Sequence, residues 1–232
     1  LLFACHVSKI TFESLIADLG IADLFKGVQR YCYICIFKVM INRFIFTIVI
    51  ALLAGCKQEY KNPHVVVRTN AGEIELELYP RQAPKTVAAF LGHVDVGRYN
   101  YASFYRVLND ENQPSNAAKT SLIQGGIWLL QYKAFSFPGI PHETTKQTGI
   151  LHKSGTISMA RTKPGTATTE FFICIGDQPG LDYGGDNNPD GQGYAAFGRV
   201  VKGMDVVKTI YKRPEDDQYF HPPVNIFGIK RL

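Results

Sequence analysis

From residue 65 onward the chain alternates between a two-residue and a 3.6-residue hydrophobic rhythm. In VVVRTNAGEIELELY (65–79), Ile74, Leu76 and Leu78 interleave with Glu73, Glu75 and Glu77, and Asn70-Ala71-Gly72 separates this run from the one before it. That pattern predicts a hairpin with one solvated face. The period then lengthens: in APKTVAAFLGHVDVG, Val87, Phe90, Leu91 and Val94 stand at i, i+3, i+4 and i+7, with Pro84 near the start and Gly97 past the end. This is the spacing of an amphipathic helix. Short strand-like runs follow at 103–108, 121–124, 155–160, 171–175 and 194–201, separated by loops rich in Gly, Pro, Asn and Asp. GMDVVKTIYKRP places Met204, Val207, Ile210 and Tyr211 on one helical face and stops at Pro214, and PPVNIFGIKRL alternates again. About eight strands with a helix near each end predict a mainly β fold, a closed antiparallel barrel capped by two α-helices, and not a βαβ arrangement.

The densest apolar run lies outside this pattern. FIFTIVIALLAGC (44–56) follows Met40 and Arg43, giving a basic start, an apolar stretch and small residues before Cys56. That is the layout of a secretory signal, and the apolar stretch is short for a stable membrane span. The ending LAGC resembles the lipobox of bacterial lipoproteins, which implies cleavage before Cys56 and acylation of its thiol. The expected organisation is an upstream translated segment at 1–39 absent from the mature protein, a signal peptide at 40–55, a lipidated tether at 56–63 and a globular domain at 64–232. Lys57 after the cysteine implies, by the rule known for enteric lipoproteins, an outer-membrane anchor facing the periplasm.

Composition narrows the chemistry. An apolar share of 46% and a charged share of 19% suit a globular chain. Residues 1–55 hold five of the 25 basic and three of the 20 acidic residues, which leaves a net charge of about +3 on the remainder. With no basic run interleaved with aromatics, a nucleic-acid surface has no support. Cys32 and Cys35 have redox or zinc spacing, but no second pair follows. Cys174, inside EFFICIG, is expected to be a small buried apolar residue. His64, His93, His142, His152 and His221 are scattered and form no zinc-binding helix motif. Asp186, Asn188, Asp190 and Gly191 match the opening of a calcium loop, yet Phe197 occupies the twelfth position where a bidentate Glu is required.

One cation stands out. In SFYRV (103–107), strict alternation puts Phe104 and Arg106 on one face and Tyr105 and Val107 on the other. A salt-bridged barrel arginine would explain it without function. In order along the chain, however, RQAPKTVAAF, SFYRV, SLIQGG, GTISMAR, TEFFICIG and GLDYGGDNNPDGQGYAAFGRVVKGMDVV resemble the cyclophilin family of peptidyl-prolyl cis/trans isomerases over about residues 64–232.

The resemblance implies an enzyme that isomerises X-Pro bonds in proline-containing polypeptides without cofactor, metal or covalent intermediate. It implies that Arg106 is the catalytic arginine and Gln124 the glutamine beside it. Phe172 then forms the floor of a proline pocket, Leu122 and Leu181 its walls, and Ala160 with Arg161 the edge that pairs with substrate backbone. Tyr194 stands where many members have His, Ser121 where the family usually has Phe, and Gly180 where Trp or Phe is common. The last two imply a reduced apolar wall, and the missing aromatic at Gly180 implies weak binding of a cyclosporin-like ligand. They also leave open a proline-segment binding module or holdase with little turnover. NDENQPSNAAKT (109–120) is an extra stretch between Arg106 and Gln124.

Overall fold

Eight strands of one antiparallel sheet close on themselves in the computed structural model, which describes residues 38–41, 60–130 and 137–232. Apart from residues 38–41, which form one exposed helical turn, the expectations for the upstream segment, the signal peptide and Cys56 lie outside the described residues. The chain divides into two units, Leu1–Glu59 and Tyr60–Leu232, and the barrel belongs to the second.

Its strands are β1 (His64–Thr69), β2 (Gly72–Leu78), β3 (Ala102–Leu108), β4 (Leu122–Gly126), β5 (Thr156–Met159), β6 (Phe171–Cys174), β7 (Ala195–Lys202) and β9 (Tyr219–Arg231), with a two-residue β8 (Glu215–Asp216) paired to the start of β9. They follow the order β1-β2-β7-β5-β6-β4-β3-β9, and β9 pairs back to β1, so no long edge is left open. Helix α1 (Pro84–Asp95) buries Val87, Phe90, Leu91 and Val94, the four residues picked out by periodicity. Helix α3 (Met204–Tyr211) buries Val207 and Ile210 and leaves Met204 and Tyr211 half-buried. Between them lies a four-residue helix α2 (Thr145–Thr148) that the hydrophobic pattern does not mark; Thr144 and Gln147 close its first turn as a capping box.

The barrel interior is aromatic at its centre. Phe171 of β6 lies edge-on to Phe90, Tyr99 and Phe104, with centroids 5.9, 5.7 and 5.8 Å away, an arrangement that ring quadrupoles favour. Two expectations from alternation need correction. The glutamate face of β2 is not uniformly solvated: Glu75 is buried, and its carboxylate meets His64 Nδ1 at 2.7 Å and Lys202 Nζ at 2.8 Å. The second correction falls on β3. Phe104 pairs with Gly125 on one side and Val224 on the other, and the next matched residue is Arg106, opposite Gln124 and Tyr219. Tyr105 is therefore an unpaired extra residue, a β-bulge. Phe104 and Val107 both enter the core, while Tyr105 and Arg106 both line an outer cavity.

Candidate active site

Strands β4 and β6 carry two faces. In their register Ile123 meets Ile173 inside the barrel, whereas the flanking pairs Leu122–Cys174 and Gln124–Phe172 look outward. Leu122, Phe172, Cys174 and Leu181 form a second, smaller apolar cluster, against which Leu108, Ala160 and Tyr194 pack. A cavity of about 840 Å³ opens over it. All eight residues assigned catalytic or substrate-binding roles by the resemblance line this cavity: Arg106, Gln124, Phe172, Leu122, Leu181, Ala160, Arg161 and Tyr194.

Arg106 is held from behind. Its Nε and Nη2 donate to Gln218 Oε1 at 3.1 and 2.5 Å, and its Nη1 donates to Gln124 Oε1 at 3.4 Å. Gln218 is fixed in turn, for its Nε2 donates to Asn112 O at 2.9 Å and its backbone N–H to Glu215 Oε2 at 2.7 Å. The hairpin between β8 and β9 can present Gln218 this way because Asp217 and Gln218 take positive φ values of 46° and 74°. The side-chain partners of Arg106 among the described residues are thus neutral amides, and its charge is left uncompensated at the edge of an apolar wall.

Arg161 differs. Its side chain is buried, its Nη1 and Nη2 donate to the two Asp190 oxygens at 2.7 and 2.9 Å, and its Nε donates to Gly193 O at 2.9 Å. This bidentate pair holds the Asp190 carboxyl down at about 2. Asp190, one of the calcium-loop positions, is therefore spent on an arginine. The guanidinium also sits 5.2 Å from the Tyr194 ring centroid, and that ring meets Phe172 edge-on at 5.3 Å. The buried His152 ring lies nearly parallel to Phe172, at 16° with centroids 5.9 Å apart, and itself meets Tyr194 edge-on at 6.5 Å. His152 Nδ1 contacts Asp182 Oδ1 at 2.7 Å and Nε2 contacts Ser158 Oγ at 3.0 Å, which locks the ring. Phe172, Tyr194 and His152 thus form a cluster of three mutually contacting rings, with His152 fixed by its hydrogen bonds.

The departures at Gly180 and in the insert are connected. A Cβ at Gly180 would sit 1.9 Å from Asn187 Oδ1, so the place of a ring beside Leu181 is taken by Asn187. Asn187 Nδ2 donates to Ala118 O at 3.0 Å, and Thr120 Oγ1 donates to Gln178 Oε1 at 2.9 Å, which ties the insert to the loop that carries Gly180. The insert closes on itself through Gln113, whose Nε2 donates to Asn109 O and Thr120 O. Gln113, Ala118 and Thr120 line the cavity, to which Gln113 and Thr120 bring polar side chains. Ser121 contributes through its backbone, its carbonyl accepting from Ile175 N–H at 2.8 Å.

Four contributors escape sequence reasoning: Tyr105, Glu170, Asn187 and Gln218. Tyr105 is hidden by the bulge, and the others act through partners remote in sequence. Cys174 is a buried free thiol, pushed well up by burial, as its apolar neighbours predict.

A family model described as cyclophilin type peptidyl-prolyl cis-trans isomerase/CLD matches residues 64–231. The chain is similar to the peptidyl-prolyl cis-trans isomerase cyp18 of Streptomyces antibioticus, 40% identical over 149 residues that cover 63% of this chain and 81% of that protein. It is 36% identical over 154 residues to peptidyl-prolyl cis-trans isomerase B of Escherichia coli strain K12, covering 63% of this chain and 82% of the relative. A Cryptosporidium parvum cyclophilin type isomerase, solved in the presence of the dipeptide Ala-Pro, shares the fold with a TM-score of 0.58 and 24% identity, across 73% of this chain and 98% of that one.

Proposed function

The chain belongs to the cyclophilin-type peptidyl-prolyl cis-trans isomerase family, and from that premise we propose that it catalyses cis/trans isomerisation of X-Pro bonds in polypeptides. The observation that carries the proposal is the uncompensated Arg106 guanidinium, steadied by Gln218 and Gln124 beside the Phe172 wall.

Resonance gives the X-Pro bond a barrier of about 18–20 kcal/mol. At the twisted transition state conjugation is lost, and the prolyl nitrogen regains a lone pair able to accept a hydrogen bond. A donor cation kept in a partly dry groove favours that state over the planar ground state. Arg106 supplies the donor, Gln124 keeps it in place, and Phe172, Leu122 and Leu181 hold the proline ring while the rest of the amide turns. Ala160 and Arg161 offer backbone at the groove edge to the flanking chain, and Tyr194 closes the side of the ring pocket. No step calls for a metal or a covalent bond.

The assay is isomer exchange on a short X-Pro peptide. Arg106→Ala is expected to lower kcat/KM roughly 10- to 150-fold, the range of one charge-assisted hydrogen bond. Equal rates for the two proteins would leave a proline-binding module in place of an enzyme. A cyclosporin-like cyclic peptide would meet the Asn187 amide where an aromatic ring is common, and weak binding is the corresponding reading.

We further infer that the isomerase is a lipoprotein of the cell envelope, anchored through Cys56, assisting exported proteins on the periplasmic side of the outer membrane. The support is MINRFIFTIVIALLAGC with Lys57 following. Labelled palmitate should enter the intact protein and not Cys56→Ala; label retained in the variant would rule the anchor out.

A further inference from the structure

We propose that Glu170 is a positioning residue that sets the direction of the hydrogen-bond chain holding Gln124 toward Arg106, so that protonating its carboxyl reverses the chain and slows turnover. The proposal rests on the isomerase reading above.

The chain has a definite polarity. Tyr105 OH donates to Glu170 Oε2 at 2.8 Å, and the phenol oxygen then accepts from Gln124 Nε2 at 2.7 Å. With its NH2 group committed to Tyr105, Gln124 turns Oε1 toward Arg106 Nη1. Glu170 Oε1 accepts from Ile127 N–H at 2.9 Å and from Thr169 Oγ1 at 3.1 Å, and the Trp128 backbone adds a further donor. Every neighbour donates to Glu170, which suits an ionised carboxylate because it can only accept. The carboxyl is also clamped, for a Cβ at Gly126 would lie 2.4 Å from Glu170 Oε2.

A protonated Glu170 breaks this agreement. With Oε1 facing the Ile127 N–H, the added proton sits on Oε2 and points at the Tyr105 oxygen. Tyr105 must then turn its own O–H toward Gln124, whose amide has to present oxygen to it. The Gln124 NH2 group is left facing the guanidinium, donor against donor, and Arg106 loses one of its two supports. Burial raises the Glu170 carboxyl, so this proton arrives at a higher pH than for an exposed glutamate. The two tyrosines beside it keep their protons over the same range, while His93, beyond Tyr99, is lowered by burial and by Arg98. Tyr99, on the turn between α1 and β3, and Tyr105 are both pushed up by burial and by Glu170 itself, with the guanidinium groups of Arg98 and Arg106 acting on them in the opposite direction.

Glu170→Gln tests the polarity. Its carbonyl must serve the Ile127 N–H, so its NH2 group faces Tyr105 and imposes the reversed chain at every pH. Wild-type kcat should fall on acidification with an apparent pKa above the ordinary 4.5 of glutamate. Glu170→Gln should have kcat about three- to tenfold lower at neutral pH, an unchanged KM and no acid limb. Adding Tyr105→Phe to Glu170→Gln should cost nothing more. A variant with wild-type kcat and a wild-type acid limb overturns the relay. A second readout needs no turnover: the side-chain amide resonances of Gln124 should titrate with Glu170 in the wild type and lose that response in Tyr105→Phe. Resonances indifferent to pH overturn the relay even if the protein proves active, and a clean titration supports it even if peptide turnover is absent.

Discussion

The barrel interior and the outer groove share strands β4 and β6 yet solve different problems. Inside, Phe171 and Ile173 meet Phe90, Phe104 and Ile123 in a single apolar cluster with several neighbours for every ring. Outside, one residue further along the same strands, Phe172 and Gln124 stand beside a cation whose support comes from two amides on distant segments. Stability is spread over many interchangeable contacts in the first region, while orientation rests on a few individual ones in the second. Strands carry Arg106, Leu122, Gln124 and Phe172 of the groove, while Ala160, Arg161, Leu181, Tyr194 and the insert reach it from loops and turns.

Alanine substitution of the two adjacent phenylalanines gives the largest expected contrast. Phe171 is fully buried and edge-on to three other rings. Phe171→Ala should destabilise by about 3–5 kcal/mol, transfer and cavity terms together. Phe172 is also buried, but its replacement opens toward a cavity that water can refill, so about 2 kcal/mol is expected. The functional order is the reverse: KM for an X-Pro peptide should rise steeply in Phe172→Ala and stay close to wild type in folded Phe171→Ala. Urea denaturation and peptide kinetics on the two proteins check this. Equal losses of stability with equal KM values would erase the distinction between the two faces.

The same contrast explains what the sequence could convey. Interior positions obey a period, so the eight strands, the buried stripe of α1 and the closed barrel follow from alternation and helical spacing. Helix α2 is too short for a period, and only its Thr144–Gln147 cap marks it. The groove obeys no period at all. A single extra residue in β3 moves Arg106 off the face that alternation assigns to it and brings Tyr105 alongside. Arg106, Gln124 and Phe172 are legible through the resemblance, because their blocks can be matched. Gln218 and Asn187 are not, since each works through one bond to a partner far along the chain, 112 residues away for Gln218 and Arg106 and 69 for Asn187 and Ala118. Glu170 was visible inside TEFFICIG, but which way its donors point is a property of the folded neighbourhood.

A smaller effect separates the regions by pH. The interior cluster carries no charge, so its contribution to stability is indifferent to protonation, whereas the groove holds two carboxyls shifted in opposite directions. Asp190 is lowered to about 2, chiefly by the hydrogen bonds from Arg161. Its stabilisation is present above the ordinary aspartate value and is lost as pH falls through the folded-state value. Glu170 is raised, chiefly by burial, so its share is present below the unfolded value and lost as pH rises through the folded one. Asp190→Asn should therefore be less stable than wild type at neutral pH, with the gap closing between about pH 4 and pH 2. The gap should be modest, because Asp190 is partly exposed and water screens the pair. Arg161 keeps its Gly193 carbonyl in the variant and with it part of its hold on Tyr194, so KM should move little. Denaturation midpoints followed across that window decide the matter: curves for the two proteins that run parallel down to pH 2 would remove Asp190 from the acid response and leave the groove wall standing on packing alone.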